Sequence, residues 1–307
     1  METPELQKEI IELKEENNAV LLVHNYQVPE VQIIGDYIGD SLELCRKAQN
    51  TVADDIVFCG VDFMAETAAI LNPDKRVIHP HPDARCPMAA MLPMETLLDA
   101  KEAYVGTPAV LYVNTLAEAK AEADVVCTSS NAAEIVSKLD TDEVIFGPDR
   151  NLGYYVNKRV PEKRLIAVPA EGYCNVHRYL GGGEEALKLK ERYPEAELLV
   201  HPECEPGLQD LADHVLSTGG MYRRGKMSDS NVFIIGTEIG LIQRMRREIP
   251  GKIFLPIKKD AECAAMKKIT LKAIYDALKT GKPVVEVPHD IAAKARRPIE
   301  RMLQMSS

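Results

Sequence analysis

The 307-residue chain has no tryptophan and only five phenylalanines, a scarcity that by itself excludes little. Other absences say more. No apolar run approaches the roughly 18 residues that would mark a membrane span. The start, Met1-Glu2-Thr3-Pro4-Glu5, lacks a basic stretch followed by an apolar one, so no secretion signal is read and the cytoplasm is the expected compartment. There is no Lys/Arg block to offset a formal net charge of −10, which excludes the phosphate-backbone footprint of a nucleic-acid binder. Close cysteine pairs of the zinc-knuckle kind are missing, and Gly181-Gly182-Gly183 is not followed by Lys-Ser/Thr, so it reads as a flexible turn and not a phosphate loop. The expected partners are therefore small molecules, with neither nucleic acid nor membrane. If the substrate is an anion, helix N-termini, hydroxyls and local histidines must attract it against the overall field.

What is present is the composition of an ordinary globular protein, 46% hydrophobic and 27% charged, long enough for two or three compact domains. Seven cysteines, an odd number without a secretion signal, favour reduced thiols over a disulfide framework.

The informative feature is an internal repeat. Val20-Leu21-Leu22-Val23-His24, Val110-Leu111-Tyr112-Val113-Asn114 and Leu198-Leu199-Val200-His201 are short strand-like runs whose polar ends lie 90 and 87 residues apart. Asp36, Asp124 and Asp213 follow at spacings of 88 and 89, each with a hydroxyl five residues later at Ser41, Ser129 and Thr218. Gly60, Gly147 and Gly236 close a second strand in each unit, and Cys86, Cys174 and Cys263 each follow a further one. With helical patterns between the strands, at residues 115–123 and 130–139 for example, this predicts βαβ units with parallel sheets. The expected fold class is α/β: three similar αβα-sandwich domains related by pseudo-threefold symmetry. The boundaries are 1–105 with Cys86, 106–194 with Cys174 and 195–283 with Cys263. Residues 284–287 read as a strand leading to a last helix over 290–302, and this tail is assigned to pack on the first repeat.

Ligand-binding residues of parallel α/β units gather beyond the carboxyl ends of strands. Three such units about one axis would bring Cys86, Cys174 and Cys263 together, a thiolate set suited to a soft metal or an iron–sulfur cluster. Three ligands leave one iron of a cubane open, which points to Lewis-acid chemistry. Cys59 and Cys127 end apolar runs and read as core. Cys204 beside Glu203 reads as a neighbour of the site, not a ligand. His24, Asn114 and His201 share equivalent strand ends, with Tyr26, Tyr112 and Glu203 close by. Ser41, Ser129 and Thr218 form a third ring, read singly as helix N-caps and together as a carboxylate- or phosphate-binding set. His177, three residues after Cys174, is either a solvated helix residue or a group touching ligand or substrate.

These segments resemble the type A, iron–sulfur-dependent quinolinate synthase family over nearly the whole chain. The resemblance is carried by Val23-His24-Asn25-Tyr26, Gly39-Asp40-Ser41-Leu42, Cys86-Pro87-Met88, Tyr112-Val113-Asn114, Val126-Cys127-Thr128-Ser129-Ser130-Asn131, Cys174-Asn175-Val176-His177, His201-Pro202-Glu203-Cys204, Ser217-Thr218-Gly219-Gly220-Met221 and Glu262-Cys263. The closely spaced C-terminal cysteine motif of some relatives is absent.

The resemblance implies a transferase-type enzyme that condenses iminoaspartate (iminosuccinate) with dihydroxyacetone phosphate to quinolinate, phosphate and water, for NAD biosynthesis. It implies a [4Fe–4S] cluster on Cys86, Cys174 and Cys263. It also implies a substrate-binding set of His24, Ser41, Tyr112, Asn114, Ser129, His177, His201, Glu203, Ser217 and Thr218. Glu203, Tyr26 and His201 are the expected catalytic groups, with Glu203 as general acid/base. The enzyme supplying iminoaspartate is a candidate partner. Rival readings are another cluster-dependent hydro-lyase, a redox protein and a zinc scaffold.

Overall fold

The computed structural model describes residues 2–306. Twelve strands form three separate four-stranded sheets, all parallel. The first holds β1 (Ala19–His24), β2 (Tyr37–Gly39), β3 (Asp55–Cys59) and β4 (Arg76–Ile78). The second holds β5 (Ala109–Tyr112), β6 (Val125–Cys127), β7 (Glu143–Gly147) and β8 (Arg164–Ala167). The third holds β9 (Glu197–Val200), β10 (His214–Val215), β11 (Val232–Gly236) and β12 (Ile253–Pro256). In every sheet the strand order is second, first, third, fourth. Three similar α/β units are therefore present, as the repeat predicted.

Short strands buried on both faces need near-continuous apolar runs. β3 and β11 are buried at every position, and all five phenylalanines of the chain lie in the core. Cys59 and Cys127 end β3 and β6 as buried residues, matching their reading as core.

The aspartate column has a structural cause. The Oδ2 atoms of Asp36, Asp124 and Asp213 each accept from a backbone N–H at or near the start of the first strand of their own unit, at Leu21, Ala109 and Leu198, over 2.7–2.8 Å. Each aspartate also faces a lysine, Lys14, Lys101 or Lys190, on the helix preceding that strand. The column thus pins the loop before the second strand to the base of the first, away from the strands' carboxyl ends.

The tail departs from expectation. Residues 284–287 form no strand among the described residues: Val284 makes only an isolated antiparallel bridge to Ile78, and the Val285 N–H donates to the Val77 carbonyl. The last helix is longer than predicted, His289–Met305, and lies against β6 and the helix Ala117–Lys120 as well as the helix Asp62–Leu71. Its apolar face, with Ala295, Ile299 and Met302 fully buried, bridges the first two units. The pattern at 115–123 yields only Ala117–Lys120, and that at 130–139 only Ala132–Ser137.

The seams between units are polar. Asn25 donates to the Thr218 hydroxyl and Ser217 to Asp40, joining the first unit to the third. Asn151 donates to the Glu203 carbonyl, joining the second to the third. The buried Lys120 ammonium donates to the Thr67 hydroxyl at 2.9 Å, joining the second to the first. No described helix is long and apolar enough to cross a membrane.

Candidate active site

Because every strand is parallel, the carboxyl ends of the three sheets face a common centre, and one cavity lies there. Cys86, Cys174 and Cys263 all line it. Each cysteine opens a helical turn: the carbonyls of Cys86, Cys174 and Cys263 accept from the N–H groups four residues on, at Ala90, Arg178 and Lys267. The backbone N–H groups three residues on, at Ala89, His177 and Met266, lie near the sulfurs and favour their ionised form. Burial raises all three thiol pKa values, and at Cys174 the nearby Glu203 charge adds to it. Such thiols ionise readily only beside a cation. Three unpaired half-buried cysteines lining one cavity fit a soft-metal or iron–sulfur group. No fourth cysteine lines this cavity: Cys204 is buried with its thiol on the Gly236 carbonyl. Cys174, His177 and Glu203 also offer three ligand atoms within 4.8 Å of one another, a set that could hold a single metal ion.

The polar residues of the strand ends complete the wall. His24 and His201 are buried and equivalently held: the Nδ1 atoms accept from the Tyr26 and Glu203 backbone N–H groups, at 3.2 and 3.3 Å. An accepting Nδ1 is unprotonated, so the ring proton sits on Nε2. Burial pulls both imidazoles down to about 3 despite the Glu203 charge nearby, so each is a neutral N–H donor. Asn114 lines the cavity with its Oδ1 buried and unpartnered, an acceptor waiting for a donor.

Glu203 is the electrostatic centre. The Tyr112 hydroxyl donates to its Oε1 at 2.5 Å, and His177 Nδ1 lies 2.7 Å from its Oε2. Burial alone would lift this carboxyl. The His177 imidazole beside it and the Tyr112 phenol outweigh it and hold Glu203 below the usual carboxylate range. Burial and the Glu203 charge push the Tyr26 and Tyr112 phenols well above 10.0. From Glu203 the polar chain continues through His177, whose Nε2 is 2.9 Å from the Thr237 hydroxyl, to the Tyr26 hydroxyl 2.7 Å beyond. The His177 and His201 rings stack at 4.5 Å.

Among the hydroxyls, Ser41, Ser129 and Thr218 line the cavity. The cap reading does not hold for Ser41 and Thr218. Their helices, Ser41–Asn50 and Thr218–Met227, are capped by Asp40 and Ser217, which accept from the Glu43 and Gly220 N–H groups. Both hydroxyls are first in their helices, where an anion is favoured. Ser217 itself is spent on capping and on its bond to Asp40, and does not line the cavity. His177 is fully buried behind the wall, which removes the solvated alternative.

A family model described as quinolinate synthetase A protein matches residues 8–304. The chain belongs to the quinolinate synthetase A family. It is 56% identical to a quinolinate synthase of Thermococcus onnurineus and 54% identical to one of Thermococcus kodakarensis, each over 100% of both chains. It is 52% identical to one of Methanothermobacter thermautotrophicus over 98% of this chain and 99% of that one. Most of the polar residues that line the cavity were readable from the repeat. Thr237 was missed: its counterparts after Gly60 and Gly147 are Val61 and Pro148, so it forms no column. Asp40, which seats Ser217, was legible only as part of Gly39-Asp40-Ser41-Leu42.

Proposed function

We propose that this chain condenses iminoaspartate with dihydroxyacetone phosphate to form quinolinate for NAD biosynthesis, with a [4Fe–4S] cluster on Cys86, Cys174 and Cys263. The reaction joins the two carbon skeletons by one C–C and one C–N bond, expels the phosphate ester as phosphate and loses two waters. The observation that carries this reading is one cavity walled by three unpaired cysteines and by a buried Glu203 held between Tyr112 and His177. When bound, the cluster supplies an open iron that polarises a substrate oxygen or nitrogen.

The chain's own residues supply the rest. His24 and His201 donate Nε2–H bonds to carboxylate or phosphate oxygens without adding charge. Ser41, Ser129 and Thr218 bind such oxygens beside helix starts. Asn114 Oδ1 accepts an N–H or O–H of the substrate. Glu203 takes up and returns protons at the isomerisation and dehydration steps, its anion kept by His177 and Tyr112 between them. Tyr26, through Thr237, extends this path to the opposite side of His177. Neutral histidines, hydroxyls and an amide share the wall with the Glu203 and Asp40 carboxylates, so hydrogen-bond donors rather than cations must hold a substrate's negative groups inside a protein of net charge −10.

The test is anaerobic reconstitution with iron and sulfide, followed by metal and acid-labile sulfide analysis and by assay of quinolinate from the two substrates. Wild type holds four irons and four sulfides per chain on this reading. Each of Cys86→Ala, Cys174→Ala and Cys263→Ala loses them, while Cys59→Ala keeps them. A single zinc without sulfide, on Cys174, His177 and Glu203, would overturn the reading, as would a cluster-loaded protein that makes no quinolinate.

A further inference from the structure

Behind each cysteine lies a carboxylate that none of the roles above uses. The Cys86 backbone N–H donates to Asp62 Oδ1 at 2.9 Å, and the Cys263 N–H donates to Glu238 Oε1 at 3.2 Å. In the second unit the Asp149 carboxylate sits near the Cys174 N–H, but its Oδ1 accepts from the Leu152 N–H at 2.7 Å and its buried Oδ2 has no hydrogen-bond partner. All three acids stand two residues after the closing glycine of the third strand, in Gly60-Val61-Asp62, Gly147-Pro148-Asp149 and Gly236-Thr237-Glu238.

A backbone bond runs parallel to each contact. The N–H groups of Asp62, Arg150 and Ile239 donate to the carbonyls of Ala84, Gly172 and Ala261, two residues before the cysteines, at 2.9, 3.0 and 2.9 Å. By that backbone register Asp62 matches Arg150 and Ile239, not Asp149 and Glu238. The carboxylate therefore comes from the first helical residue in one unit and from the N-cap in the other two. In the first and third units two different positions and two different side-chain lengths deliver an acceptor to the cysteine amide, and in the second the Asp149 carboxylate stands in the same place. That pattern marks the contact itself as the conserved element of the threefold design, beyond ordinary helix capping.

We propose that Asp62, Asp149 and Glu238 are positioning residues that hold the three cysteine backbones so that their sulfurs face one shared cluster. The inference rests on the cluster reading given above. At Cys86 and Cys263 the amide is tied behind the ligand by the carboxylate, and at all three the cysteine carbonyl is held by the following turn. The third clamp is additionally charge-balanced: Lys267 Nζ lies 2.7 Å from Glu238 Oε1, whereas Asp62 makes no ion pair among the described residues and borders a second cavity of about 390 Å³ that also reaches Cys86.

Asp62 is partly exposed and tolerates substitution best, so it is the site to test in the reconstituted protein. Asp62→Ala removes the acceptor; Asp62→Asn keeps an acceptor oxygen and removes the charge. Iron loss to a chelator is expected to be about tenfold faster in the alanine protein and near wild type in the asparagine protein. The cluster's midpoint potential rises in the asparagine protein, because a neighbouring negative charge has gone. An alanine protein that releases iron at the wild-type rate overturns the proposal, and so does an asparagine protein that releases it as fast as alanine. If the alanine protein does not fold, the asparagine protein decides alone: an unmoved potential sinks the assignment. A wild-type protein that takes up no cluster instead defeats the functional reading and is recognised before any variant is made.

Discussion

Replacing Tyr112 by phenylalanine tests the electrostatic centre of the site with one atom. The ring stays in a position that is almost fully buried, and only the hydroxyl donating to Glu203 Oε1 at 2.5 Å is lost. A hydrogen bond to a buried ionised group is worth about 1.5–3 kcal/mol. At about 1.4 kcal/mol per decade, turnover should fall roughly 10- to 100-fold if the Glu203 anion is needed in the rate-limiting step. Glu203→Gln should cost more, on the order of 10²- to 10⁴-fold, as loss of a general acid/base does. The double variant should be no slower than Glu203→Gln alone, since the hydroxyl then has no anion to support. The assay is quinolinate formation by anaerobically reconstituted protein of equal iron content. Unchanged turnover in Tyr112→Phe, or losses that multiply in the double variant, would refute the idea that the phenol acts through Glu203.

Two further outcomes follow from other parts of the molecule. Burial pulls the Lys120 amine from 10.5 down to about 8, so its charge is costly in the fold by about 3 kcal/mol. The unfolded chain binds this proton more tightly, so the penalty is fully present below about pH 8 and fades as pH rises toward 10.5. The stability difference between Lys120→Met and wild type, followed by chemical denaturation from pH 7 to 10, should shift in favour of wild type; a pH-independent difference contradicts the depressed amine. Gly240 starts a helix against the first unit, and an added Cβ would sit 2.8 Å from the Gln27 carbonyl oxygen and 2.9 Å from the Tyr26 carbonyl carbon. Gly240→Ala should cost about 1–3 kcal/mol of stability and, by moving Tyr26, up to about a hundredfold in turnover with iron content intact. Wild-type activity in that variant would take Tyr26 out of the reaction.

The placement of the cysteines was legible because it follows from topology: a repeat of strand ends, in parallel sheets, must meet at one face. His24, Asn114 and His201 were readable for the same reason. What the repeat could not distinguish was the use made of each column. The Asp36 column looks like a site ring yet clasps backbone at the opposite end of the strands, because a carboxylate near a strand start finds unpaired N–H groups there. Ser217 beside Thr218 was equally plausible as a ligand until the cap geometry assigned it to the Gly220 N–H. Thr237 and Lys120 carry no periodic signal: Thr237 meets Tyr26 of the first unit and His177 of the second, Lys120 joins the second unit to the first, and neither has a counterpart in the other two units. The strand expected at 284–287 has the composition of one but meets only a single bridging partner at Ile78.

The distribution of the thiols among three units also sets an order of events during synthesis. A growing polypeptide exposes Cys86, then Cys174, and offers the third sulfur only when residue 263 has left the ribosome. On the proposed reading, a product truncated within the third unit, however well its first two sheets fold, presents two sulfurs and no site for a group held by three.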